Sequence, residues 1–244
     1  MKIFIISLFP DEVYQFINKG ILKRALDSNA LDLSMVHLRD FAENKHKKVD
    51  DYPFGTRQGM LLRVDVLSAA IRSIPNYDDY QLLYPCPKGV FLNQGMASTL
   101  SSKKGLILLP GYYEGVDDRI FELFDIQRYS IGDFVLSSGD LPNMMLLEAV
   151  TRLCDGVIGK EAGVQDDSII SGRLEGPQYT LPREFENKTV PDVVISGNHG
   201  KIAEWKLKES LKETIKRRPS LLINQQLNHN EQEQLVESIK ELSS

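Results

Sequence analysis

The stretch Arg128-Tyr-Ser-Ile-Gly-Asp-Phe-Val-Leu-Ser-Ser-Gly-Asp-Leu-Pro142 decides the fold. Tyr129 to Leu136 has the β-branched and aromatic content of a strand, and Ser137-Ser-Gly-Asp140 has the composition of a turn. Gly132 indicates a close backbone approach or a bulge, and Pro142 suits the first turn of a helix. Such a unit leaves room beside the backbone for a flat, polar, adenosine-like ligand, although an ordinary strand-to-helix turn has the same pattern.

Two earlier strands end in the same way. Tyr80–Tyr84 runs into Pro85-Cys-Pro-Lys-Gly89, and Gly105–Leu109 runs into Pro110-Gly-Tyr-Tyr-Glu-Gly115. These strands and the apolar N-terminal run Ile3–Phe9 alternate with helical segments, which predicts an α/β domain with a mostly parallel sheet. Because ligands bind beyond the carboxyl ends of such strands, the three loops together predict one pocket.

The chain changes character after residue 158. Residues 159–168 show neither helical nor strand periodicity, so we predict a first domain at 1–158, a flexible linker at 159–172 and a mainly helical domain at 173–244. Lys201 to Arg218 carries seven Lys or Arg against three Glu in a chain of net charge −5. This segment indicates either a localised anionic partner or a solvated helix face. Asn230 with Glu233 resembles a capping box and predicts the start of the last helix.

Composition and missing motifs exclude several classes. No apolar run approaches the roughly 20 residues of a membrane span. Two cysteines without metal-ligand spacing and the lack of an export signal predict a reduced, cytoplasmic protein. The four histidines form no close pair that would indicate zinc. The phosphate loop, the dinucleotide-binding glycine pattern, the GxSxG elbow and the zinc-protease motif are all absent from the sequence.

Ten short segments, in this order and at close spacing, resemble the bacterial tRNA (guanine-N1)-methyltransferases, the TrmD family. They are Ser7-Leu-Phe-Pro10, Arg39-Asp40, Val49-Asp-Asp51, Gly59-Met60, Tyr113-Glu-Gly115, Ser130-Ile-Gly-Asp133, Leu136-Ser137, Leu141-Pro142, Asp167-Ser168 and Ser196-Gly-Asn-His199.

The resemblance implies a SPOUT-type α/β domain with a C-terminal trefoil knot. The sequence patterns alone predict an open, doubly wound sheet, because threaded chains are nearly absent among known folds. The resemblance also implies a homodimer with active sites at the subunit interface, S-adenosylmethionine as methyl donor and tRNA as substrate, with no membrane or DNA partner. The modified base would be the guanosine just 3′ of the anticodon, at tRNA position 37. Magnesium is implied as well, although nothing in the sequence identifies a ligand.

The resemblance also implies roles for individual residues. Asp167 would be the general base at N1 of guanine, and Arg152 would stabilise the charge that develops on O6. Outside such a context, Asp167 is a solvent-exposed linker carboxylate or a helix cap, and Arg152 is a helix partner of Glu148. The implied tRNA contacts are Asp51, Gly59, Ser168, Asn198 and His199. The implied cofactor contacts are Tyr84, Pro85, Cys86, Pro87, Gly111, Tyr113, Glu114, Ser130, Ile131, Gly132, Leu136, Ser138, Gly139 and Pro142.

The chain departs from the family pattern in five loops. YGGGPGM becomes Phe54-Gly-Thr-Arg-Gln-Gly-Met60, and SPQG becomes Cys86-Pro-Lys-Gly89. GRYEG becomes Gly111-Tyr-Tyr-Glu-Gly115, SGGE becomes Ser137-Ser-Gly-Asp140, and PHYTRP becomes Pro177-Gln-Tyr-Thr-Leu-Pro182. Reduced affinity for cofactor or tRNA is therefore one hypothesis. Two other functions remain open: a SPOUT methyltransferase for another RNA base, and a weakly active cofactor- or RNA-binding module.

Overall fold

The computed structural model describes residues 1–55, 59–158, 169, 171–223, 225 and 227–243. It divides the chain into two compact units, Met1–Gly159 and Lys160–Ser244. The first unit corresponds to the predicted sheet domain, whereas the exact domain and linker boundaries stay a prediction. In the part of the chain that is described, no helix is long and apolar enough to span a membrane.

The first unit is an α/β domain. Its strands are β1 (Lys2–Ser7), β2 (Asp32–His37), β3 (Asp50–Asp51), β4 (Leu61–Leu62), β5 (Gln81–Phe91), β6 (Gly105–Leu108) and β7 (Ile126–Ser130). Its helices are α1 (Pro10–Ile17), α2 (Gly20–Asp27), α3 (Val64–Arg72), α4 (Gln94–Ser101), α5 (Ile120–Leu123) and α6 (Asp140–Thr151).

Five of these strands form one sheet in the order β2-β1-β6-β5-β7, and every pairing in it is parallel. The predicted class, an α/β fold with a parallel sheet, is therefore confirmed. The trefoil knot stays a prediction from the family. Because all five strands point the same way, their carboxyl ends share one edge of the sheet.

The central strands are buried on both faces, which explains their uninterrupted apolar sequences. On β1 the side chains of Ile3, Ile5 and Ile6 are completely buried. Ile6 packs in the cluster that includes α3, and Ile3 and Ile5 pack in the opposite cluster that includes α6. At about 25 cal/mol per Å² of apolar surface removed from water, these two clusters supply the main favourable free energy of folding for the unit.

The predicted strand from Tyr129 to Leu136 was wrong beyond Ser130, where β7 ends. Among the described strands β7 lies at the edge of the sheet and pairs with β5 alone, and the last pair between them is Ser130 with Phe91. In the described part of the chain no strand continues the ladder beside residues 131–137, and Gly132 adopts φ 149°. Residues 131–138 form a loop in which Val135 is 92% exposed.

The strand β5 is longer than predicted. The sequence predicts a strand that ends at Tyr84, whereas β5 continues to Phe91 after an irregularity between Pro85 and Val90. Pro85 and Val90 both pair with Tyr129, so residues 86–89 bulge out of the ladder. A side chain at Gly89 would collide with the backbone of Tyr129. The bulge therefore needs glycine at this point.

The second unit is mainly helical, as predicted from its sequence. Its elements are the hairpin strands β8 (Glu184–Phe185) and β9 (Lys188–Thr189) and the helices α7 (Asp192–Ile195), α8 (His199–Arg217) and α9 (His229–Ser243). Asn198 caps α8, since its side chain accepts a hydrogen bond from the backbone of Lys201 at 3.1 Å.

The capping box of α9 lies two residues earlier than predicted. The side chain of Asn228 accepts from the backbone of Glu231 at 3.0 Å, and the Glu231 carboxylate accepts from the backbone of Asn228 at 2.9 Å. Asn230 belongs to the helix itself. Both asparagines have a glutamate three residues later, so the spacing in the sequence cannot separate them.

Candidate active site

The three predicted loops meet at the carboxyl edge of the sheet and enclose a cavity of about 550 Å³. The first comes from the bulge in β5, the second follows β6, and the third follows β7 and leads into α6. All fourteen residues predicted to contact a cofactor line this cavity. The structure thus brings them together, while the ligand that they bind stays a prediction.

Two of the loops touch each other through glycine backbone. The N–H of Gly139 donates a hydrogen bond to the carbonyl of Gly111. A Cβ atom built on Gly139 would lie 2.7 Å from Pro85 Cγ and 2.8 Å from Gly111 Cα. No side chain fits into that space, so this crossing requires glycine at residue 139.

A hydrogen-bonded chain of side chains supports the same crossing. The hydroxyl of Tyr112 donates to Asp140 Oδ2, and Ser7 Oγ lies 3.3 Å from the Tyr112 hydroxyl. Burial raises the pKa of the Asp140 carboxyl, and the hydrogen bond from Tyr112 opposes that shift. Burial and the bond to Asp140 raise the pKa of the Tyr112 phenol. These hydrogen bonds connect Ser7, at the end of β1, to Asp140, at the start of α6.

A buried network anchors the floor of the cavity. Tyr129 is completely buried and donates to Asn143 Oδ1 at 2.8 Å. Asn143 in turn donates from Nδ2 to the carbonyl of Leu109 at 2.9 Å. These bonds join the ends of β6 and β7 to α6, and they satisfy polar groups that would otherwise be costly to bury.

One wall is aromatic, and sequence reasoning missed part of it. The rings of Tyr84 and Phe121 meet at 5.5 Å, and the guanidinium of Arg128 lies 3.8 Å from the centre of the Phe121 ring. Burial raises the pKa of Tyr84 to about 12, with a smaller contribution from the nearby charge of Asp118. Phe121 and Asp118 follow the second loop in sequence, but no spacing rule indicated that they would turn back to the cavity.

Charges of both signs line the cavity. Glu114 and Asp118 supply carboxylates, whereas Lys88 and Arg128 supply cations. A ligand that carries both a cationic centre and a carboxylate would find a partner for each charge.

Residues 59–62, which begin with the predicted tRNA contact Gly59, lie beside this cavity. Met60 accepts a hydrogen bond from the backbone of Glu114 at 3.0 Å, and Leu62 donates to Gly115 at 2.9 Å. A side chain at Gly59 would collide with Glu114. Asp51 is exposed on β3, where the backbone N–H of Tyr52 and the ammonium of Lys48 lower the pKa of its carboxyl.

The remaining predicted residues lie elsewhere. Arg152 is exposed at the C-terminal end of α6 and is not among the residues that line the cavity. The helix rises about 1.5 Å per residue, so Arg152 lies roughly 15 Å along α6 from Pro142. Asn198 and His199 begin α8 in the second unit. Asp167 and Ser168 fall outside the described residues.

A parallel α/β sheet whose strand-end loops enclose one cavity defines a protein that binds a small ligand at the carboxyl edge of its sheet. Comparison with known proteins narrows this class. Residues 1–224 match the family model described as tRNA (Guanine-1)-methyltransferase TrmD. The chain belongs to this family, which confirms the family predicted from the ten sequence segments.

Relatives match the chain over nearly its whole length. The tRNA (guanine-N(1)-)-methyltransferase of Staphylococcus haemolyticus is 42% identical over 240 residues, which cover 98% of each chain. The protein of the same name from Geobacillus kaustophilus is 41% identical over 242 residues, or 99% of each chain. That of Dictyoglomus turgidum is 41% identical over 242 residues, covering 99% of this chain and 98% of its own.

Proposed function

We propose that this protein transfers a methyl group from S-adenosylmethionine to N1 of the guanosine at tRNA position 37. One observation carries the proposal: in a chain that matches the methyltransferase family over residues 1–224, the three strand-end loops, two of which contain family segments, enclose a single cavity.

The cavity fits the proposed methyl donor. Its volume of about 550 Å³ lies within the range of roughly 300–1,000 Å³ that is usual for small-ligand pockets. The aromatic wall of Tyr84 and Phe121 suits a flat adenine ring. Glu114 and Asp118 suit the cationic sulfonium and ammonium groups, and Arg128 suits the carboxylate. When bound, S-adenosylmethionine supplies a methyl group on a positively charged sulfur.

The residues of the chain must make N1 of guanine reactive, because N1 carries a proton. In the proposed mechanism the carboxylate of Asp167 accepts that proton, and the electron pair left on N1 forms the bond to the methyl group as the sulfur–methyl bond breaks. Negative charge develops on O6 as the proton leaves N1, and the Arg152 guanidinium stabilises it by a hydrogen bond. The cavity loops hold the donor, and tRNA contacts hold the base, so that the displacement proceeds in line.

The position of Arg152 supports a homodimer. Arg152 does not line the cavity of its own chain, and it lies roughly 15 Å along α6 from the lining residue Pro142. In a dimer that packs α6 against a second copy, Arg152 of each subunit would complete the cavity of the other. Leu141 and Met145 on α6 are 57% and 53% exposed, which suits such a contact.

The second unit supplies the proposed tRNA surface. Lys201, Lys206, Lys216 and Arg218 are exposed, and they make no ion pair within the described ranges. Cations of this kind bind phosphates by releasing counterions. A tRNA substrate places the protein in the cytoplasm. Magnesium stays a prediction from the family, and the described residues contain no group of three or more His, Cys, Asp or Glu that could hold a metal ion.

The test is methylation of tRNA transcripts that carry either G or A after the anticodon, followed by mapping of the methylated nitrogen. We expect methyl incorporation only with G, at N1. Asp167→Ala should lower kcat at least 100-fold, the order of magnitude of general-base catalysis, while binding of tRNA is kept. Asp166→Ala is the matched control, because it removes the neighbouring carboxylate.

Other outcomes identify the competing functions. Methylation of a different base would indicate another SPOUT RNA methyltransferase. Binding of S-adenosylmethionine and RNA without turnover, by the wild type as well as by the variant, would indicate a binding module and would contradict the proposed enzyme activity.

A further inference from the structure

Two positions at which this chain departs from the family pattern touch each other. In the second loop Tyr112 stands where the pattern has arginine, and at the end of the third loop Asp140 stands where the pattern has glutamate. The Tyr112 hydroxyl donates its hydrogen bond directly to Asp140 Oδ2. The two departures are therefore partners in one interaction, although 28 residues separate them in the chain.

This side-chain contact lies beside the glycine crossing of the cavity. Tyr112 follows Gly111 and Asp140 follows Gly139, and the N–H of Gly139 donates to the carbonyl of Gly111. Tyr112 also pairs with Ser138 as an isolated antiparallel bridge. The backbone bond and the side-chain bond thus hold the same two loops together, next to atoms that line the cavity.

The tyrosine supplies fewer hydrogen-bond donors to the carboxylate than an arginine would. A phenol has one O–H and satisfies one carboxylate oxygen, whereas a guanidinium can donate to both oxygens at once. Asp140 Oδ1 is buried and has no hydrogen-bond partner among the described residues. The contact between Tyr112 and Asp140 therefore joins the two loops with one donor, where an arginine at residue 112 could supply two.

We propose that Tyr112 and Asp140 are a coupled pair of positioning residues that set the affinity of the cavity for S-adenosylmethionine through Gly111 and Gly139. The inference rests on the proposed function, since the affinity in question is that for the methyl donor. Neither side chain takes part in methyl transfer.

The test measures S-adenosylmethionine binding by calorimetry and tRNA methylation by steady-state kinetics. Tyr112→Phe keeps the ring that packs against Phe9 and removes only the hydroxyl. We expect Kd and KM for S-adenosylmethionine to rise about tenfold, while kcat at saturating donor and KM for tRNA stay within about twofold. Tyr77→Phe is the matched control, because it removes a phenol hydroxyl before the amino end of β5 and should leave Kd unchanged.

Exchange of both partners tests the coupling. Tyr112→Arg and Asp140→Glu should each weaken binding about tenfold, because each changes the length of one side chain in a closely packed pair while its partner keeps its own length. The double variant, which restores the family pair, should return Kd to within about threefold of the wild type. A purely structural role would lower the melting temperature without this rescue. If Tyr112→Phe fails to fold, the comparison of Asp140→Glu with the double variant decides the question.

The contrary results are distinct. Unchanged Kd in Tyr112→Phe, or a double variant no better than its single parents, overturns the coupled pair and leaves the proposed function intact. A wild-type protein that does not bind S-adenosylmethionine overturns the proposed function, and this inference with it.

Discussion

At the scale of single residues, the cavity depends on positions where a side chain would be too large. Gly139 is buried where the third loop crosses the second, and its neighbours are the ring of Pro85 and the backbone of Gly111. The departure from the family pattern lies one residue earlier, at Ser138, whose hydroxyl accepts a hydrogen bond from the backbone of Asp140 at 3.0 Å. The chain therefore keeps glycine at the tight crossing and has serine one residue earlier, where its hydroxyl accepts a hydrogen bond from the first backbone N–H of α6.

Gly139→Ala should open this crossing. The added methyl group would have to displace Pro85 or Gly111, and overpacking of this kind costs about 1–3 kcal/mol of the free energy of unfolding. Binding of S-adenosylmethionine should weaken at least tenfold in calorimetry. Gly200→Ala is the control, because its methyl group would meet only Asn198 Oδ1, at an ordinary 3.5 Å. Equal donor affinity in Gly139→Ala and the wild type would contradict the role of the crossing.

At the scale of elements, the start of α9 also binds an earlier segment of the second unit. The carboxylate of Glu231 accepts from the backbone of Asn228 and also binds the guanidinium of Arg173, with Nη1 and Oε1 2.6 Å apart. These bonds lower the pKa of the Glu231 carboxyl. The cap of α9 therefore also holds residue 173, which begins the predicted second domain.

Asn228→Ala and Asn230→Ala distinguish the observed cap from the predicted one. Loss of the cap at Asn228 should lower the free energy of unfolding by about 0.5–2 kcal/mol, the usual cost of replacing an asparagine cap by alanine. Asn230→Ala should be neutral or slightly stabilising, because alanine is the better helix former. Urea unfolding monitored by circular dichroism measures both. A larger loss at Asn230 would show that α9 begins later than in the structure.

At the scale of the whole molecule, the basic segment divides into two groups of charges. Lys208 and Lys212 belong to α8, and their ammonium groups lie 2.6 and 2.8 Å from the carboxylate of Glu241 in α9. These two ammonium groups lower the pKa of Glu241 to about 2. Lys206 and Lys216 are exposed on α8, and neither makes an ion pair within the part of the chain that is described. Of these two pairs of lysines, Lys206 and Lys216 are the ones whose charges are available to bind phosphate.

Substitution of the two groups should therefore have different effects. Lys206→Ala and Lys216→Ala should each weaken tRNA binding and reduce the slope of log K against log salt by about one, without a change in melting temperature. Lys208→Ala should mainly lower the thermal stability of the second unit. Filter binding between 50 and 200 mM salt, together with calorimetric unfolding, separates the two effects. Equal salt slopes for all three variants would contradict the division.

The sequence by itself determined the class of the fold, since the apolar runs of β1 and β6 are what a sheet buried on both faces requires. It also determined the three cavity loops, because glycine and proline mark strand ends wherever the strands are later placed. Only the tertiary structure decided that β7 stops at Ser130, because that depends on the end of its partner β5. Likewise, only folding brings Tyr112 to Asp140 and Phe121 to Arg128. Such contacts depend on the path of the whole chain, and no local pattern of residues encodes them.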